Sequence, residues 1–140
     1  MKKLKIFILL AGILSLFSCS NKISVIEEFH NTLDASTDES LIVEYFEFAD
    51  SATKDNLTLM YKDLFNTIKS YKALGTYEVL KYHKARKNWV AIPEVSGSEI
   101  SSNTYVVKYS NNEFLYFHFS NDKIQSMLPI KKGDVIAGWF

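Results

Sequence analysis

A single cysteine, Cys19, excludes an internal disulfide, and neither a paired-cysteine spacing nor an HExxH pattern exists to hold zinc. His30, His83 and His118 are scattered, so the residue pattern offers no metal site. A nucleophile elbow, a glycine-rich phosphate loop and an EF-hand loop are likewise missing, and nothing in the sequence asks for a cofactor. Only two prolines and five glycines interrupt 140 residues, which speaks against a disordered or low-complexity chain. Charge of one sign is also lacking. Residues 1–18 hold three of the 16 basic residues and no acidic one, leaving 13 against 16 and a net charge of −3. A nucleic-acid partner would need a basic surface that this balance does not supply.

What is present begins with an address. Met1 to Lys5 is basic, and Ile6 to Leu16 is apolar apart from Gly12 and Ser15, the two parts of a secretory leader. The run stops well short of the roughly 20 apolar residues that span a bilayer. Leu16-Phe17-Ser18-Cys19 follows at once. This stretch resembles the lipobox of bacterial lipoproteins, with Phe17 a mild departure from the usual pattern. The resemblance implies cleavage after Ser18 and a diacylglyceride on Cys19, with a further acyl chain such as palmitate on the new amino group. Two or three chains hold stably at about 0.8 kcal/mol per buried CH₂. It also implies the cell envelope, and Ser20 in place of an inner-membrane retention aspartate favours the outer membrane. The expected organisation is a removed signal peptide at 1–18, an acylated cysteine and tether at 19–22, and one α+β domain at 23–140, long enough for its own core.

Within that domain the periodicity predicts three helices. Ile23, Ile26, Phe29, His30 and Leu33 share a helical face, and Thr37 can cap a second helix carrying Leu41, Ile42, Tyr45, Phe46 and Ala49. Val43-Glu44-Tyr45 could alternatively belong to a strand. Ser51 or Thr53 can cap the longest helix, where Leu57, Met60, Tyr61, Leu64, Phe65, Ile68, Tyr71 and Leu74 form one stripe up to Gly75. Phe65 and Phe117 are the residues expected between this helix and a sheet.

After Gly75 the pattern alternates. Thr76 to Tyr82 reads as a strand, Lys81 to Lys87 as a basic hairpin tip with a possible affinity for lipid headgroups or an acidic partner, Trp89 to Ile92 as a short strand, and 94–103 as a loop. Ser110 to Glu113 and Ser120 to Lys123 read as hairpin turns. If both are two-residue loops, Tyr109 lies opposite Phe114 and Phe119 opposite Ile124. One face then carries Val106, Leu115, Phe117, Phe119, Ile124 and Leu128, and the other carries Tyr105, Val107, Tyr109, Phe114, Tyr116, His118, Gln125 and Met127. Neither face is polar, so both need cover. Val135 to Phe140 is expected to dock back or to form an edge strand.

Helices first and about four antiparallel strands after define an α+β fold with the helices on a curved sheet. The element order resembles the cystatin-like and NTF2-like superfamily, which implies an isomerase- or dehydratase-type acid–base role for His118. The residues themselves favour a satisfied sheet histidine, because no Asp or Glu falls at an inward position of the two hairpins. The leading expectation is a lipid-anchored domain that binds a small ligand or another envelope protein through Tyr105, Tyr109, Tyr116, His118 and Gln125. A membrane-tethered inhibitor or immunity-type protein would use the same face.

Overall fold

The computed structural model describes residues 21–140. Residues 1–18, expected as a signal peptide ending in a lipobox, and Cys19 lie outside the described residues. Helix α1, Asn21–Thr32, already includes Lys22, so the segment read as tether is helical from Asn21 onward. Ile26, Phe29 and His30 on α1, with Leu33 just beyond it, are fully buried.

Thr37 caps α2, Asp38–Tyr45, by accepting from the Ser40 amide. This helix ends four residues earlier than its apolar pattern suggested. Phe46 leaves it in extended conformation, makes a parallel bridge with Ile124, and joins the core, whereas Ala49 is exposed. Asp50, not Ser51 or Thr53, caps α3, Ser51–Ala73, and its carboxylate accepts from the Thr53 amide at 2.6 Å. A carboxylate serves better than a hydroxyl here because it also meets the positive end of the helix. The buried stripe of α3 is narrower than expected, Leu57, Tyr61, Phe65 and Ile68. Met60 and Leu74 are 49% and 64% exposed, because only the face of the helix turned to the sheet is covered and the apolar residues flanking it stay wet.

Strand β1, Tyr77–Lys81, runs straight into α4, Tyr82–Asn88, where the sequence suggested a hairpin tip. Tyr82, Ala85 and Trp89 explain the helix: at i, i+3 and i+7 they make a buried stripe beneath the exposed basic residues. Residues 89–92 are not a strand. The short β2, Glu94–Val95, and α5, Ser98–Ser102, occupy the region read as loop. Strands β3, Thr104–Tyr109, β4, Phe114–Ser120, and β5, Lys123–Ser126, complete an antiparallel sheet in the order β1-β3-β4-β5. A second sheet was not foreseen. It comprises β2, β6, Pro129–Lys132, and β7, Val135–Trp139, in the order β2-β7-β6, so the C-terminal strand is central in it and not an edge.

The architecture is α+β, with α1–α3 on one face of the four-stranded sheet and α4 with the second sheet on the other. The helical side buries Phe29, Phe65, Phe117 and Phe119 with Tyr105, Val107 and Tyr109. Phe65 and Phe117 are fully buried there, as expected. The opposite side buries Val106 and Tyr116 with Trp89, Val95 and Ile136. Both faces of the sheet are therefore covered.

Candidate functional site

The five residues expected on one aromatic face are divided by a single turn. Lys108 pairs with Phe114, and the Tyr109 amide donates to the Glu113 carbonyl at 3.0 Å, so Ser110-Asn111-Asn112 is a three-residue loop with Asn112 at φ 63°. The two-residue loop assumed from the sequence would have placed Tyr109 opposite Phe114. A slip of one residue flips a strand's side chains relative to its neighbour. Tyr105 now faces Phe117, and Val106 faces Tyr116. Tyr105 and Tyr109 thus belong to the helical side, Tyr116 and His118 to the other, and the three tyrosines are 2–7% exposed. The second turn is the expected two-residue Asn121-Asp122, but an irregularity beyond it sets His118 opposite Ser126 in place of Gln125.

Two of the five still meet at open space. His118 and the exposed Gln125 line a cleft of about 400 Å³ together with Ile100, Asn103, Phe119, Ser120 and Asn121. The back of the imidazole is fixed by donor counting. The Thr104 hydroxyl spends its one proton on the Ile100 carbonyl at 2.6 Å, so at 3.1 Å it can only accept from His118 Nδ1–H. That tautomer leaves the lone pair on Nε2, which has no partner among the described residues. The ring stacks on Trp139 with centroids 5.0 Å apart and planes 4° from parallel. Lys22 donates to Asn103 Oδ1 at 3.0 Å and stands 5.8 Å from the Phe119 ring centre. Burial, helped by the charge of Lys22, lowers the His118 pKa and keeps the ring neutral.

No carboxylate lines this cleft. An imidazole backed by a threonine can accept a hydrogen bond from a ligand, but it has no acid to stabilise an imidazolium. No local pattern marked Thr104, Asn103, Lys22 or Trp139, which come from α1, β7 and the start of β3 with the residue before it. Only the scarcity of tryptophan could have singled out Trp139.

The other two histidines serve structure. His30 Nδ1 donates to the Ile26 carbonyl at 2.7 Å and Nε2 accepts from the Tyr109 hydroxyl at 2.6 Å, while the ring stacks on Tyr77. Desolvation brings its pKa down to about 4 and pushes that of Tyr109 strongly up. His83 Nε2 lies 3.3 Å from Ser101 Oγ, but that hydroxyl donates to the Ser98 carbonyl, so the imidazole is not acting as its base. Among the described residues no group of three His, Cys, Asp or Glu could hold a metal ion, and no helix is long and apolar enough to cross a membrane. The chain matches no protein-family model, no curated protein and no solved structure.

Proposed function

We propose that this chain is a lipid-anchored domain of the bacterial cell envelope that binds a small polar ligand, or a short exposed segment of another envelope protein, in the His118 cleft. The anchor is Cys19 and the outer membrane its location, on the resemblance of residues 16–19 to a lipobox. The observation that carries the binding role is the neutral His118 ring, held from behind by Thr104 and Trp139, with an Nε2 acceptor that has no partner among the described residues. Around it stand the amides of Asn103, Asn121 and Gln125 and the Ser120 hydroxyl. This set suits a neutral ligand rich in hydroxyl or amide N–H donors, such as a saccharide or a peptide backbone. The buried tyrosines leave the cleft, not a sheet face, as the contact surface.

The experiment is an imidazole NMR titration of the full chain with neutral oligosaccharides and short peptides. One class should shift the His118 ring resonances and leave those of His30 in place. His118→Ala and Gln125→Ala should each weaken that binding by about 0.5–1.5 kcal/mol, the worth of one hydrogen bond. Binding that moves neither His118 nor responds to these substitutions would place the site elsewhere. Loss of fatty-acid labelling in Cys19→Ala tests the anchor, and unchanged labelling would end the lipoprotein reading.

A further inference from the structure

Lys81 to Lys87 contains four cations and a histidine without a carboxylate. Because Tyr82 and Ala85 turn inward on α4, Lys81, His83, Lys84, Arg86 and Lys87 are all exposed. Arg86 leans toward Glu94 at 3.9 Å, but Lys81, Lys84 and Lys87 form no ion pair among the described residues. They do not stand over polar ground. Lys81, His83, Lys84 and Lys87 border a groove of about 460 Å³ completed by Ile23 and Leu80, and its wall is mostly carbon. Lysine stems supply apolar surface while their ammonium groups stay at the rim. A pocket for a free anion would need no such wall.

We propose that this groove docks the domain on the anionic surface of a phospholipid membrane. The ammonium groups of Lys81, Lys84 and Lys87 meet headgroup phosphates, and the carbon wall sits at the boundary between headgroups and acyl chains. The charge pattern stands by itself, whereas the position rests on the lipoprotein reading. Ile23 is four residues from Cys19 in sequence, so at most roughly 14 Å of extended chain separates them. A lipid on Cys19 would hold the groove about one to two Debye lengths from the surface at physiological salt, close enough for the lysines to find it.

The test uses the full chain on phosphatidylcholine vesicles with and without phosphatidylglycerol, and reads the rate at which each lysine reacts with an amine label. Phosphatidylglycerol should slow Lys81, Lys84 and Lys87 by about fivefold or more, leave Lys54 and Lys69 on α3 unchanged, and lose its effect near 1 M salt, where the Debye length is about 3 Å. The double variant Lys84→Glu/Lys87→Glu should show no slowing at Lys81 while keeping the wild-type thermal midpoint. Equal rates on both vesicles, or equal slowing on neutral ones, would overturn the proposal. Slowing by soluble glycerophosphate or polyglutamate on neutral vesicles would overturn it too, in favour of a free phosphate or an acidic protein. Flotation of Cys19→Ala reports on the anchor separately, because that reading can fail while the lysine rates still decide the groove.

Discussion

His30 and His118 are shielded from water on opposite faces of one sheet, yet they are finished differently. His30 has both nitrogens engaged inside the aromatic core, by the Ile26 carbonyl and the Tyr109 hydroxyl. His118 has one nitrogen engaged by Thr104 and the other at a cleft. A buried ring with both positions satisfied is a structural part, and any change there strands a partner. A ring with one free position retains something to offer a ligand. The two also differ in neighbours, since His30 stacks on Tyr77 within the main core and His118 on Trp139 near the end of the chain.

The comparison breaks most easily by truncation. His30→Ala leaves a cavity and strands the Tyr109 hydroxyl, while the Ile26 carbonyl keeps its helical amide donor, and should cost about 3–5 kcal/mol by chemical denaturation. His118→Ala strands only one lone pair of Thr104 and should cost about 1–2 kcal/mol. Equal losses would erase the distinction.

Acid sharpens it. His30 titrates near 4 when folded against about 6.5 when unfolded, so between these values the unfolded chain holds more protons. Stability is full above pH 6.5 and falls as pH drops toward 4, by about 3 kcal/mol at 1.36 kcal/mol per pH unit. The His118→Gln chain should retain most of this loss and the His30→Gln chain should lack most of it. A flat profile in the wild type would show that His30 takes up its proton as readily in the folded chain as in the unfolded one.

The smallest effect is expected at Trp139, whose Nε1 is buried without a partner among the described residues. Trp139→Phe keeps a ring against His118 and removes the stranded N–H, so the gain and the lost area should nearly cancel, within about 1 kcal/mol. A loss above about 2 kcal/mol would reveal a hydrogen bond donated by that N–H, such as one to an enclosed water.

Much of the helical half was legible because its signals are local. Thr37 as a cap, the 57/61/65/68 stripe and the halt near Gly75 each depend on residues within a few turns of one another. Helix α4 was not, since its stripe is only Tyr82, Ala85 and Trp89 and its exposed residues are polar or charged. The candidate site was half legible: His118 and Gln125 were in view, but the tyrosines joined to them belong to the cores.

The sequence by itself determined an α+β domain with helices before strands, two aromatic sheet faces that both needed cover, and Phe65 and Phe117 in the core. These follow from the periods 3.6 and 2 and from the cost of exposing large apolar side chains. Only the tertiary structure decided which residues share a face, because Ser110-Asn111-Asn112 closes as a three-residue loop with Asn112 left-handed, and loops of two and three residues differ little in local preference. It also decided that β7 lies between β2 and β6, and that Lys22, Asn103, Thr104 and Trp139 gather around His118. Those contacts join residues as much as 81 positions apart in the pair Lys22 and Asn103, and packing across that separation leaves no periodic trace in the chain.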